Sequence, residues 1–209
     1  RHQGGVTGFF IDTKTPGFSV PRLINTMGHL GGDTGVVVLD GVRVPDDHRL
    51  GAVGRGLAVA MDGVNAGRIG MAATCLGLAR WALDQALAYA KVRKTQGVPI
   101  AEHQAIQLKL GEMATRARAA RLLTLDAAAA FDRGERCDME AGMAKYFASE
   151  AALENSTESM RIQGAYGYSK EFDIERLFRD APLTCIGEGT NEMQRIIIAR
   201  QFIKRHAVG

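Results

Sequence analysis

The spacing of apolar residues along this chain changes near residue 50. Before it, Val6-Thr7-Gly8-Phe9-Phe10-Ile11-Asp12 and Val36-Val37-Val38-Leu39 are short β-branched and aromatic runs that predict strands. Thr15-Pro16-Gly17 and Gly31-Gly32-Asp33 supply the turns between them. After it the repeat lengthens to that of a helix. Leu76, Leu83, Leu87 and Ala90 share one stripe of a helix predicted over 55–91. Beyond a break at Gly97-Val98-Pro99, Ile106, Leu110, Met113, Ala117 and Ala120 step by four and three along a second helix. A third helix is predicted over 138–162, ending at Gly164, then a short segment over 171–178 and a last helix over 190–206. Long amphipathic helices with short connections predict a mainly α fold, an antiparallel four-helix bundle.

Alanine usage sharpens the boundary. The chain has thirty alanines and none precedes Ala52, whereas the first fifty residues hold nine of the 25 glycines and three of the five prolines. Alanine is the best helix former, and glycine and proline are the worst. The predicted organisation is therefore a β segment over 1–50 and a helical bundle domain over 51–209. So few strands cannot bury both faces of a sheet, so the first part reads as incomplete. The opening Arg1-His2-Gln3, with neither an initiator Met nor an apolar leader, reads as the start of a piece of something longer.

Bulk properties exclude several classes. The 209 residues are 46% hydrophobic and 23% charged, enough apolar content for a real core. A net charge of +3 gives no argument for nucleic acid, and no eighteen-residue apolar run predicts a membrane span. Cys75, Cys137 and Cys185 stand far apart without CxxC spacing, against a disulfide framework and in keeping with a reducing compartment. His2, His29, His48, His103 and His206 are scattered without ligand spacing, so no metal site is predicted. Phosphate-loop, dinucleotide-fold and serine-elbow motifs are absent, and Gly51-Ala52-Val53-Gly54-Arg55-Gly56 reads as a turn.

Three segments carry candidate chemistry. In Ile186-Gly187-Glu188-Gly189-Thr190-Asn191 a carboxylate stands between two glycines before a helix, and Asn191 with Gln194 resembles a capping box. Glu188 is either a residue favoured by the helix dipole or a general base on a bendable loop. Arg93-Lys94-Thr95-Gln96-Gly97 is either the cationic end of a long helix or a pyrophosphate clamp. Arg161-Ile162-Gln163-Gly164-Ala165-Tyr166-Gly167-Tyr168 is either a helix cap at Gly164 or a close backbone approach to a planar or phosphorylated ligand.

Together and in this order, the three segments resemble the C-terminal part of the acyl-CoA dehydrogenase family. Further matches are Thr15-Pro16-Gly17-Phe18-Ser19-Val20 and Leu39-Asp40-Gly41-Val42-Arg43-Val44-Pro45, similar to the end of the family's middle β domain. Gly67-Arg68-Ile69-Gly70, Glu102-His103-Gln104-Ala105-Ile106-Gln107 and Glu175-Arg176-Leu177-Phe178-Arg179-Asp180-Ala181 resemble its helical domain. The resemblance implies FAD-dependent α,β-desaturation of an acyl-CoA thioester, with electrons passed to an electron-transfer flavoprotein. By matched position Glu188 is the catalytic base, and its own N–H polarises the thioester carbonyl. Asn65, Arg68 and Gly189 fall on substrate-side positions, with Arg68 steadying the loop. Arg93, Thr95, His103, Gln104, Arg161, Gly164, Ala165, Thr190 and Glu192 fall on positions that hold FAD, part of it in a neighbouring subunit. A homotetramer, as a dimer of dimers, is implied. So is a cytoplasmic location, or the mitochondrial matrix in a eukaryote.

A branch of the family carries its base immediately before the arginine that is here Arg68. That position is Gly67, which has no side chain to serve. Departures from the family pattern are Gln96 for an aromatic, Arg161 for glutamine, Ala165 for glycine and Gly187 for tyrosine. The last implies room for a branched or cyclic acyl group. The family's N-terminal helical domain and flavin-covering β segment have no counterpart here, which implies that these 209 residues alone bind FAD weakly or not at all and are catalytically silent. A flavin oxidase or monooxygenase, or a non-catalytic helical partner subunit, are the other readings, and retention of Glu-Gly-Thr counts against both.

Overall fold

The computed structural model describes residues 5–206; the opening Arg1-His2-Gln3 lies outside the described residues. The chain divides into two compact units, Arg1–Val64 and Asn65–Gly209. As the sequence predicts, it is mainly helical, with a packed bundle preceded by a few short strands.

In the first unit, β1 (Gly8–Phe9) pairs antiparallel with β4 (Arg49–Leu50), and β2 (Phe18–Ile24) with β3 (Thr34–Leu39). The β2–β3 register shifts between Ser19 and Arg22. Pro21 stands at that shift and has no N–H to give the ladder. Of the strand predicted at 6–12 only Gly8 and Phe9 pair: the Phe10 N–H still reaches the His48 carbonyl (2.9 Å), but the His48 N–H turns to the Pro45 carbonyl (3.1 Å) and Thr15 closes a turn on Asp12 (2.9 Å). Phe9, Phe10, Leu23, Ile24, Val37 and Leu39 all stay exposed on these two-stranded ribbons. Helix α1 (Gly56–Asp62) follows.

The helix predicted over 55–91 is two. Hydrogen bonding lapses at Gly63, the C-cap of α1, where glycine's conformational freedom weakens a helix, and α2 resumes over Val64–Val92. A hairpin of β5 (Lys94–Thr95) and β6 (Val98–Pro99) leads to α3 (Gln104–Asp132). Then come α4 (Asp138–Gln163), α5 (Ile174–Ile186) and α6 (Asn191–Arg205). The segment predicted over 171–178 is longer, since α5 runs on past Pro182.

The core of the bundle is a seam of alanines. Ala72, Cys75 and Ala79 of α2 meet Ala120 and Ala127 of α3 and Ala144, Ala148, Ala151 and Ala152 of α4, each of them buried. Of the expected stripe Ala90 is buried, whereas Leu76 only flanks this seam and Leu83 flanks a second cluster around Ala86, Ala90 and Met113. Small side chains let helix axes approach closely, so the deepest positions fall to alanine and the leucines fill the shoulders. Helix α4 is enclosed on several sides, burying Ala141, Lys145, Ser149, Asn155, Ser159 and Gln163 along its length. Asn155 Nδ2 donates to the carbonyls of Ala79 (3.1 Å) and Met113 (3.0 Å), tying α4 to α2 and α3.

Candidate active site

Between α5 and α6 runs a four-residue loop, Gly187-Glu188-Gly189-Thr190. Helix α5 ends when the Gly187 N–H bonds back to the Leu183 carbonyl (2.8 Å). Glu188 then turns left-handed at φ 55°, as does Gly189 at 85°. Left-handed backbone is costly for a residue with a Cβ and costs glycine little, so Glu188 is held there by its surroundings. Thr190 caps α6, its hydroxyl accepting the Met193 N–H (3.4 Å). The N-cap is therefore Thr190, one residue before the expected Asn191, and the capping box expected at Asn191 and Gln194 does not form. Asn191 is drawn inside to Ser149 and Glu150, and Gln194 donates to the carbonyls of Glu188 (3.1 Å) and Gly189 (3.0 Å).

Glu188 reaches across to the start of α2. A Cβ built on Gly67 would stand 2.8 Å from its Oε2 and 3.3 Å from its carboxyl carbon. The two positions at which the resemblance allows a base thus converge, and only one has a functional side chain. Arg68 lies next to this contact and is buried, 6% exposed, with its Nε unpartnered. Burial pushes its guanidinium pKa down, opposed by the charges of Asp138 and Glu188. Arg68 Nη1 donates to Asn65 Oδ1 (3.2 Å), and Asn65 Nδ2 donates to Asp138 Oδ1 (2.9 Å). Burial raises the Asp138 pKa, but hydrogen bonds from Asn65 and Arg136 outweigh it and hold this carboxyl below its ordinary value. Asn65 is thereby engaged as a brace between Arg68 and Asp138. Glu188 itself is exposed, so the described residues do not by themselves form a dry cleft over its carboxylate.

The cofactor candidates fall into two groups. In the β5–β6 hairpin, Gln96 (φ 53°) and Gly97 (φ 87°) make the two-residue turn that joins Thr95 to Val98. Thr95 Oγ1 lies 2.8 Å from His103 Nε2, just ahead of Gln104 at the start of α3. Arg93 is exposed and makes no ion pair among the described residues. A guanidinium, a hydroxyl and an amide exposed on one hairpin and helix start, with the half-buried His103 imidazole, form a donor set suited to the pyrophosphate of FAD. The second group is less available. Arg161 pairs with Glu158 (2.7 Å), which also holds Lys109, and Glu192 pairs with Arg195 (2.9 Å). Gly164, at φ 62°, and Ala165 are exposed at the end of α4, and no atom crowds the space a Gly164 side chain would take. Among the described residues no three His, Cys, Asp or Glu side chains gather to hold a metal, and no helix is long and apolar enough to cross a membrane.

Sequence reasoning missed Lys145. It is fully buried beneath the loop, donating to the carbonyls of Cys185 (3.2 Å) and Gly189 (3.0 Å) and to Asn191 Oδ1 (2.9 Å). The available signal was a lysine on the same helical stripe as Ala141, Ala148 and Ala152.

Comparison with known proteins completes the description. A family model, "Acyl-CoA dehydrogenase, C-terminal domain", matches residues 54–203. An acyl-CoA dehydrogenase of Bacillus subtilis is 46% identical over 97% of this chain and 53% of its own length. A subunit of the caffeyl-CoA reductase–Etf complex of Acetobacterium woodii is 39% identical over 96% of this chain and 53% of its own. Among solved structures, butyryl-CoA dehydrogenase from Megasphaera elsdenii superposes with a TM-score of 0.92 at 38% identity, over 95% of this chain and 52% of that one. The chain spans about half the length of the relatives it matches.

Proposed function

Because this chain belongs to the acyl-CoA dehydrogenase family, we propose that Glu188 is the base of an FAD-dependent dehydrogenase that desaturates acyl-CoA thioesters. The observation that carries this reading is the seat of Glu188: a carboxylate in left-handed backbone, laid over Gly67 of α2, where a side chain would exclude it. The carboxylate takes the pro-R α-proton as the Cα=Cβ bond forms, and the β-hydrogen leaves as hydride. Bound FAD supplies the hydride acceptor. The Glu188 N–H donates to the thioester carbonyl and so acidifies the α-carbon. Gly189 lets the thioester approach the backbone closely. Arg68, braced by Asn65, holds a positive charge beside the carboxylate and orients it. Closure over the exposed Glu188 is left to the thioester and the flavin.

Arg93, Thr95, His103 and Gln104 would hold the pyrophosphate and adenosine of FAD, while Gly164, Ala165 and Thr190 offer backbone or hydroxyl contacts. Arg161 and Glu192 reach the cofactor only by giving up the ion pairs described above. A homotetramer is supported by Leu108, Leu122 and Leu125, apolar side chains left exposed along α3. An electron-transfer flavoprotein as electron acceptor is supported by the A. woodii relative, a subunit of a complex with Etf. Run in reverse, the same carboxyl returns the proton, the direction for which that relative is named. Residues 1–50 are proposed as the end of a middle β domain, and a reducing compartment suits the three free cysteines.

A bulky acyl group, branched or cyclic, is the proposed substrate class. Gly187 has φ −65° and ψ 158°, backbone open to any residue, and a Cβ there would meet only ordinary contacts with Leu183 O (3.5 Å) and Met71 Cε (3.7 Å). The turn does not require glycine at that point, so its missing side chain is read as space.

The deciding experiment is Glu188→Gln in the flavin-loaded enzyme. Turnover should fall about 10³-fold with flavin content unchanged. Retained desaturation would place the base elsewhere.

A further inference from the structure

We infer that Lys145, with Gln194 beside it, is a positioning residue that presets the Glu188 loop for proton abstraction. This rests on the reading of Glu188 as the base. The three acceptors of the Lys145 ammonium come from three successive pieces of chain: the last turn of α5 at Cys185, the loop itself at Gly189, and the first residue of α6 at Asn191. Three acceptors take all three N–H bonds of an ammonium, so the geometry matches the charged form although burial pushes this pKa down. The Cys185 carbonyl closes the C-terminal end of α5, where a cation is favoured. Among the described residues no carboxylate pairs with the Lys145 nitrogen; the Asn191 amide stands between it and Glu150, donating to Glu150 Oε1 (2.8 Å).

A buried ammonium is a poor device for stability alone. Desolvating it costs several kcal/mol, and an apolar chain of like length fills the same volume without that cost. What the charge supplies is direction. Lys145 and Gln194 Nε2 converge on the Gly189 carbonyl, and Gln194 also takes the Glu188 carbonyl. Fixing these two peptide planes sets the left-handed Gly189 directly; with the Cys185 carbonyl and the Gly187 N–H held on the other side, Glu188 has little freedom to leave φ 55°, which directs its Cα–Cβ bond over Gly67. The same clamp accounts for Gly189, since a Cβ there would come within 2.8 Å of Gln194 Nε2.

The test compares Lys145→Met with Asn155→Ala in the flavin-loaded enzyme. Asn155 is a matched control: a buried polar side chain of the same helix that bonds two main-chain carbonyls and touches nothing in the loop. In Lys145→Met, amide hydrogen exchange at residues 188–190 should accelerate at least about tenfold, and kcat should fall up to about 100-fold with KM little changed. Asn155→Ala should lose melting temperature yet keep loop protection and kcat. Native exchange and native kcat in Lys145→Met, or an equal kcat loss in Asn155→Ala, would overturn the inference. Should Lys145→Met not fold, Gln194→Met is measured for the same split. The exchange readout does not depend on chemistry, so an active Glu188→Gln would defeat the base assignment while the clamp is still judged by loop protection.

Discussion

Glu188 Oε2 occupies the space that a side chain at Gly67 would need: the built Cβ stands only 2.8 Å from it. These residues are 121 apart in the chain, and their juxtaposition yields a sharp expectation. Gly67→Ala should stabilise α2 by up to about 1 kcal/mol through helix propensity, yet lower kcat by about 10- to 100-fold by displacing the carboxylate. Thermal unfolding and turnover, measured on the same preparation, check both signs. Retention of full activity would show that Glu188 is not held against that position.

Position 187 tests the substrate class. Gly187→Tyr meets no backbone obstacle and should fold normally, while cutting kcat/KM for branched or cyclic acyl-CoAs by about tenfold or more relative to linear ones. A competition assay with paired thioesters reads the ratio. An unchanged preference would mean the space beside Gly187 does not receive the acyl chain.

Much of the helical architecture was legible because alanine and leucine recur at helical spacing, and a period survives any uncertainty about helix ends. Periodicity identifies a stripe but not its depth. Ala72, Ala79 and Ala148 form the seam while Leu76 flanks it and Leu83 flanks the second cluster, because depth depends on how closely neighbouring helices approach. The β5–β6 hairpin stayed hidden because each strand is two residues long and Gln96-Gly97 carries little of the local signal of Asn-Gly. Asn191 looks like a cap in the sequence because the partners that draw it inside, Lys145, Ser149 and Glu150, lie more than forty residues away. Glu188 itself was legible through its two glycines, whereas the burial of Arg68 and Lys145 arises only from tertiary packing.

The alanine seam should tolerate loss of volume better than gain. Ala148→Leu adds methylenes at a fully buried position between close-packed helices and should destabilise by about 1–3 kcal/mol or more. Ala148→Gly should cost about 1 kcal/mol, mostly through helix propensity. Denaturant midpoints of the two variants give the comparison, and equal midpoints would show the seam to be loosely packed.

Acid sensitivity should localise partly to the α4–α6 junction. A hydrogen bond from Arg205 holds the Glu140 carboxyl below its ordinary value, and Arg205 Nη2 also donates to the Arg136 carbonyl (3.1 Å). A carboxyl with a lowered folded pKa stabilises the fold above the unfolded value of about 4.3 and loses that contribution as pH falls through the folded one. Glu140→Gln should therefore cost about 0.5–1 kcal/mol at pH 7, and the deficit should vanish near pH 2. Urea unfolding at the two pH values measures it.

The left-handed backbone at Glu188 also sets folding against chemistry. Glycine adopts φ 55° without penalty, so Glu188→Gly should raise the melting temperature slightly while removing the base. An unconstrained chain optimised for thermostability would drift toward glycine at this site. Any enrichment of glycine at 188 in a library sorted for heat resistance would thus measure how strongly function, rather than fold, retains the carboxylate.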